Sequence, residues 1–342
     1  LSALAVPFAI QASTVLLVAR FGGAQGLPEA GGVTTALFYL VCSFLIVLFP
    51  TALMGATLPL LARYAVERAS QIGSRVGLLY ATNTTGAVAG ALTAAFLLLP
   101  ALGLRRTVFV GAAVNLAVFL VAALLARGLP ALSRPDPSGE RRTPGARVRG
   151  ALILPIIFCS GVVSFTYEVL WTRLLGHIVG GSVYAFATML ATFLVGIAVG
   201  SAVASRLATA RDRAAGIFVL TQLGVALLSY AAFATLDALP ALAQRIGAGA
   251  AASATAANAA LSGIVLLPAA LCIGASFPLA VRILARHEVE AGPASARVFA
   301  WNTLGAIVGS VGAGFWWIPA PVSYTHLTLP TTIKPWWGGG GG

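Results

Sequence analysis

Long apolar segments separated by short polar breaks account for most of the sequence. Each segment approaches the roughly 20 residues that a helix needs to cross about 30 Å of hydrocarbon. Segments such as 87–99 and 189–199 do not alternate apolar and polar residues, as the strands of a membrane β-barrel would. The pattern therefore predicts an all-α integral membrane protein, a polytopic bundle of about nine spans, at 1–19, 33–60, 76–99, 105–126, 151–175, 183–204, 214–236, 258–284 and 297–319.

Composition agrees with this class and argues against a soluble enzyme domain in the chain. Hydrophobic residues make up 59% of the 342 positions and charged residues only 9%, a balance that a water-soluble globule of this size does not show. The formal charge of +12 does not indicate nucleic-acid binding, because the arginines lie between spans and form no interleaved basic and aromatic surface. We expect the lipid bilayer, and no nucleic acid, as the partner.

The arginines predict the orientation of the spans. Taking every second loop, fifteen arginines lie around 61–76, 127–150, 205–213 and 282–297, and five lie in the alternate loops. By the positive-inside rule the first set of loops faces the cytoplasm. The Arg-rich linker 127–150 is therefore predicted to be cytoplasmic.

An internal repeat relates two parts of the sequence. Segment 55–63 (Gly-Ala-Thr-Leu-Pro-Leu-Leu-Ala-Arg) aligns with 274–282 (Gly-Ala-Ser-Phe-Pro-Leu-Ala-Val-Arg) at an offset of 219 residues. The same offset aligns 83–90 with 302–309 without a gap. A repeat that holds six spans inserts both halves in the same orientation. This is the parallel-repeat plan of the facilitator-like architecture, with six plus six spans.

The repeat divides the chain into a first membrane half, 1–126, the cytoplasmic linker 127–150, and a second membrane half, 151–320. Carried in both directions, the offset leads us to expect that the first half lacks about two spans before Leu1 and the second half its last span. Segment 321–342 breaks abruptly in composition and ends in five glycines. We expect it to be a non-native tail and exclude it from the fold prediction.

Separate motifs along the chain carry a family resemblance. They are Pro50-Thr-Ala-Leu-Met-Gly55, Gly77-Leu-Leu-Tyr80-Ala-Thr-Asn83, Tyr167-Glu168-Val-Leu-Trp171-Thr-Arg173, Gly181-Ser182-Val-Tyr184 and Gly196-Ile-Ala-Val-Gly200-Ser201. Together they resemble the membrane region of bacterial spermidine-synthase-like proteins, of the polyamine aminopropyltransferase family. The resemblance covers nearly all of 1–320.

In that family, a facilitator-like membrane domain is commonly fused to a cytoplasmic catalytic domain of the Rossmann methyltransferase type, whose co-substrate is decarboxylated S-adenosylmethionine. The resemblance implies that this chain is a multi-pass anchor in the bacterial inner membrane for such a domain. The domain itself requires a glycine-rich turn and an acidic residue about 20 positions later. The sequence has no such pattern, so we predict no catalytic, cofactor-binding or metal-ligating residue in this chain.

Two alternatives to an anchor stay open. One is a facilitator-like secondary transporter of a small solute, such as a polyamine or another cation. The other is a membrane scaffold without a small-molecule site.

Ionisable and aromatic residues near one predicted span form the candidate intramembrane polar site. Glu168 is costly to bury in hydrocarbon and therefore indicates either a cation or proton site or a structural polar clamp. Arg173 projects about 140° away from it on one helix, so each is expected to find its partner on a neighbouring helix. His177 shares the face of Arg173, and the pair Tyr167 and Trp171 shares another.

Two asparagines related by the repeat, Asn83 and Asn302, are further candidates. Each precedes a Gly-x-x-x-Gly element, which allows helices to approach closely. The pseudo-symmetry predicts that both lie near the interface between the halves, where transporters of this plan bind substrate. Structural packing is the alternative for both residues.

Overall fold

The computed structural model describes residues 2–21, 33–127, 144–208, 210–249 and 254–317. These residues are almost entirely helical and contain no strand, which confirms the predicted all-α class. Most of the linker 127–150 and the whole tail 321–342 lie outside the described residues, so the predictions for them stay predictions.

Ten α-helices follow one another in the described part of the chain. They are α1 (Ser2–Phe21), α2 (Val33–Ala65), α3 (Ile72–Thr93), α4 (Leu99–Arg127), α5 (Pro144–Val179), α6 (Val183–Leu207), α7 (Arg211–Ala234), α8 (Leu239–Gly249), α9 (Ala254–Leu284) and α10 (Ala291–Gly312). A 3₁₀ turn precedes each of α3, α8 and α10, at Ala69–Gln71, Leu236–Ala238 and Glu288–Glu290. A π-helical turn follows α3 at Ala94–Leu98 and α10 at Ala313–Trp317.

Seven helical stretches are long and apolar enough to cross a membrane. They are Leu37–Ala65, Ala69–Arg127, Leu152–Val179, Val183–Leu207, Arg211–Ala234, Thr255–Leu284 and Glu288–Trp317. This indicates a multi-pass helical membrane protein, because lipid offers the backbone no hydrogen-bond partners and a helix satisfies them internally.

Glycines with positive φ mark two of the helix breaks. Gly103 (φ 73°) interrupts the 59-residue stretch Ala69–Arg127, and the predicted spans 76–99 and 105–126 lie on either side of it. Gly180 (φ 98°) ends α5, in a conformation that costs glycine little. Ser182 then caps α6, since its hydroxyl accepts a hydrogen bond from the Ala185 N–H at 3.1 Å.

Helix α9 lies at the centre of the second half and packs against α5, α6, α7 and α10, as well as α3 of the first half. Small residues make its contact with α6 possible. A Cβ added to Gly200 would overlap the carbonyl oxygen of Leu271, and one added to Gly274 would overlap that of Ile197. Such close backbone approach is how helices associate where lipid supplies no hydrophobic force between them.

Two clusters of buried side chains occupy the two ends of α9. The first core cluster surrounds its C-terminal half and includes Leu58, Ile72, Val76, Phe218, Phe277 and Val298. The second core cluster surrounds its N-terminal half and includes Tyr167, Trp171, Leu175, Phe193, Leu261 and Val265.

The two repeat-related Gly-x-x-x-Gly elements have different surroundings. On α10, a Cβ added to Gly305 or Gly309 would overlap a carbonyl oxygen of α5, that of Phe158 or Val162. On α3, a Cβ at Gly86 or Gly90 would meet no described atom within 4 Å. The element thus makes a tight helix contact in the second half and an open face, among the described residues, in the first.

Helices α2 and α4 present large apolar side chains on the outside of the bundle. Examples are Met54 at 70% exposure, Leu104 at 73% and Leu125 at 66%. A water-soluble monomer does not expose so many apolar side chains together. They are the surface expected to contact lipid or further helices.

Replacing Gly305 with alanine tests the contact between α5 and α10. We expect Gly305→Ala to lower the free energy of unfolding by about 1–3 kcal/mol, because the added methyl forces the helices apart. The matched control is Gly86→Ala at the repeat-equivalent position, where helix propensity alone predicts no loss or a gain of up to about 1 kcal/mol. Titration with a denaturing detergent in mixed micelles measures both, and equal losses would contradict the packing.

Candidate functional site

Tyr167 and Trp171 form the buried part of the predicted polar site. Both belong to the second core cluster, and their ring centroids lie 5.9 Å apart in an edge-to-face arrangement. The shared face predicted from the four-residue spacing is thus confirmed. The Tyr167 hydroxyl donates a hydrogen bond of 2.9 Å to the carbonyl oxygen of Val265 and so links α5 to α9.

The acceptor of this bond lies beside a proline of α9. Pro268 has no N–H and cannot donate to the carbonyl of Ile264 four residues earlier. The adjacent carbonyl of Val265 accepts the Tyr167 hydroxyl instead of a neighbour from lipid. The tyrosine therefore supports α9 where the backbone ladder is weakened.

Glu168 is half-buried within the span Leu152–Val179. Its position on α5 lies between the face that carries Tyr167 and Trp171 and the face that contacts α10. No described residue forms a hydrogen bond or an ion pair with its carboxylate. The interhelical partner expected for Glu168 is therefore not found in the part of the chain that the structure describes.

Arg173 and His177 are exposed on α5, one turn apart. Their common face agrees with the spacing, and it differs from that of the half-buried Glu168. The structure does not bring either cation against the carboxylate, so these residues line the outside of the bundle near the end of the span.

The two asparagines are not brought together at one site. Asn302 is half-buried on α10, and its backbone oxygen lies against Gly161 of α5. Gly161 is two helical turns before Glu168, about 10 Å along the axis. Asn83 is exposed on α3. Only Asn302 thus lies on the same pair of helices as the carboxylate.

An aromatic cluster between the halves was missed by the sequence analysis. Tyr80 of α3 stacks on Phe277 of α9 with ring centroids 4.5 Å apart, and Phe299 of α10 contacts the other side of Phe277 at 6.3 Å. Tyr80 also packs against both core clusters. A sequence signal existed, because Tyr80 and Phe299 are repeat-equivalent positions in the ungapped alignment.

Polar contacts between helices complete the surroundings of the site. The buried Ser201 hydroxyl of α6 donates to the Gly77 carbonyl of α3 at 2.9 Å, and Gln222 of α7 donates to the Ser276 hydroxyl of α9 at 3.0 Å. The Ser262 hydroxyl, one turn from Val265, is fully buried and has no partner among the described residues. An unpaired carboxylate and an unpaired hydroxyl near one level of α9 are groups that a cation or an amine is able to use.

Comparison of the chain with protein-family models, with curated proteins and with solved structures found no match.

Tyr167→Phe tests the link between α5 and α9. Removal of the hydroxyl leaves the Val265 carbonyl unpaired in the core, and we expect the free energy of unfolding to fall by about 0.5–1.5 kcal/mol. Tyr230→Phe is the control, because Tyr230 is 72% exposed on α7. The same detergent titration measures both variants, and a Tyr167→Phe protein as stable as the control would show that the bond contributes nothing.

Proposed function

We propose that the chain is the membrane domain of a spermidine-synthase-like protein and anchors a cytoplasmic aminopropyltransferase-like catalytic domain to the bacterial inner membrane. Its architecture is facilitator-like, with two parallel-repeat halves, 1–126 and 151–320. Decarboxylated S-adenosylmethionine is the co-substrate of the catalytic domain and has no site in this chain.

The observation that carries the proposal is the role of the motif residues. Tyr167 bonds α9, Ser201 bonds α3, and Gly196 and Gly200 lie against Ala270 and Leu271 of α9. The residues on which the family resemblance rests are therefore those that assemble the bundle. This supports a motif pattern maintained for the architecture of a membrane domain.

Local structure supports the repeat. The helix end at Ala65, the 3₁₀ turn Ala69–Gln71 and α3 have counterparts at Leu284, Glu288–Glu290 and α10, all at the offset of 219 residues. Even a side-chain hydrogen bond recurs at this offset. The Glu67 N–H donates to Gln71 Oε1 at 3.3 Å, and the Arg286 N–H donates to Glu290 Oε2 at 2.8 Å.

Contacts between the halves support a pseudo-two-fold relation. Helix α2 packs against α10, and α3 packs against α9, which are repeat-equivalent pairs. In the first pair, a Cβ on Gly292 would lie 3.2 Å from the Pro59 carbonyl oxygen; in the second, a Cβ on Gly77 would lie 3.2 Å from Pro278 Cβ. Each half thus sets the proline of its kinked helix against the other half.

We further propose that the described chain crosses the membrane nine times. At about 1.5 Å per residue, the 59-residue stretch Ala69–Arg127 is far longer than one bilayer crossing. Its break at Gly103 supports two spans, and α1 adds the ninth. Orientation with the linker 127–150 in the cytoplasm follows from the arginine distribution.

Assay of the protein encoded by the complete gene tests the anchoring function. We expect inner-membrane vesicles that contain it to transfer an aminopropyl group from decarboxylated S-adenosylmethionine to a diamine. Extraction at high salt should leave the activity with the membrane, because the anchor is integral. A complete reading frame without a glycine-rich turn and its acidic partner would contradict the proposal.

Glu168 favours a second function, secondary transport of a small cation such as a polyamine. The carboxylate is half-buried within a span and has no described partner. An ionisable group so placed is costly and marks solute or proton pathways in membrane proteins. The aromatic cluster of Tyr80, Phe277 and Phe299 at the contact between the halves fits the place where the halves of a transporter move against each other.

Uptake of a labelled polyamine by proteoliposomes tests transport. Glu168→Gln should lower uptake by about tenfold or more, because loss of one partner of a buried charge pair costs about 2–5 kcal/mol. The matched control is Glu67→Gln, which removes an exposed carboxylate from the turn after α2 and should leave uptake unchanged. Uptake that is insensitive to Glu168→Gln would exclude this residue as the cation site.

A further inference from the structure

Three arginines meet at one end of the bundle. Arg211 is the first residue of α7, Arg282 lies in the last turn of α9, and Arg286 follows the end of α9. Arg211 lies within electrostatic range of both other guanidinium groups. Like charges repel at this range, so the arrangement requires a compensating negative charge.

The carboxylates near these arginines do not supply that charge fully. Asp212 and Glu290 also lie within electrostatic range of Arg211, but no described carboxylate forms an ion pair with any of the three guanidinium groups. Glu290 instead accepts the backbone N–H of Arg286 through Oε2 at 2.8 Å. Two carboxylates also leave one of three positive charges uncompensated.

Arg282 has donors to spare. Its Nη1 reaches the Ala285 carbonyl oxygen only at 3.4 Å, and its buried Nε has no partner among the described residues. A guanidinium carries five N–H donors in a planar fork that matches the oxygens of a phosphate group. Leaving these donors unpaired in a half-buried position is costly.

The repeat provides an internal control for this cluster. The turn after α2 has the same backbone bounds and the same side-chain hydrogen bond as the turn after α9. In the first copy Arg63 is followed by Glu67, whereas in the second Arg282 is followed by Arg286. The turn therefore forms without a second arginine, and the extra positive charge has another cause.

The location indicates which anion is at hand. Arg211 begins the span Arg211–Ala234, and Arg282 and Arg286 flank the end of the span Thr255–Leu284, at the depth where lipid headgroups lie. Helix α7 has no side-chain cap at Ala210, so its first N–H groups are free to face the same anion. Basic pockets between helix ends are typical sites for anionic headgroups.

We propose that Arg211, Arg282 and Arg286 bind a phosphate group, supplied by the headgroup of an anionic phospholipid. The site is separate from Glu168 and does not depend on the proposed function of the chain. It would hold α7 against α9 by neutralising the three arginines together.

Binding of phosphatidylglycerol to the full chain in phosphatidylcholine nanodiscs tests the site. Arg282→Gln and Arg286→Gln should each weaken the apparent affinity for phosphatidylglycerol about fivefold. The matched control is Arg63→Gln, which removes one charge from the repeat-equivalent turn and should change it less than about twofold. Equal effects at Arg63 and Arg282, or no preference for phosphatidylglycerol over phosphatidylcholine, would overturn the proposal.

Two further measurements keep the result decisive. Arg282→Lys retains the charge but not the fork, so it should fold like the parent and still bind phosphatidylglycerol more weakly; parent-like affinity would overturn the guanidinium–phosphate geometry. Inorganic phosphate is titrated separately against the protein in neutral lipid. Saturation below roughly 1 mM that Arg282→Gln removes would assign the site to a soluble phosphate ion in place of the lipid, and no saturation supports the lipid.

Discussion

Close contact between α6 and α9 is the interaction on which the second half depends. Gly200 and Gly274 allow the two backbones to approach so closely that a single added methyl would overlap a carbonyl oxygen. Lipid is as apolar as the helix surfaces, so dispersion contacts and hydrogen bonds between helices must supply the association energy. Because α9 also touches α5, α7, α10 and α3, separating it from α6 would disturb both core clusters.

The two halves share a local plan but have different surroundings. Their turns after α2 and α9 have matching bounds and a matching side-chain hydrogen bond. Gly305 nevertheless packs against α5, while the equivalent Gly86 has no described neighbour within 4 Å. The same small-residue face thus serves as a contact in one half and is available to a further helix in the other.

The candidate site was predicted in part. Helical spacing was sufficient for the shared face of Tyr167 and Trp171, because residues four apart are neighbours on any helix. Spacing also separated Glu168 from Arg173. It did not supply the Val265 carbonyl that receives the Tyr167 hydroxyl, or the stacking of Tyr80 on Phe277, since both partners come from distant helices.

The sequence by itself determined the helical membrane class, because apolar segments of bilayer length admit few other structures. It also determined the repeat offset, which is a property of aligned residues. Only the tertiary structure decided which glycines are covered and which arginines meet. Arg211 and Arg282 are far apart in the chain, and their proximity at one end of α7 and α9 depends on how those helices pack. Such packing is set by the mutual fit of whole helix faces, which no local pattern encodes.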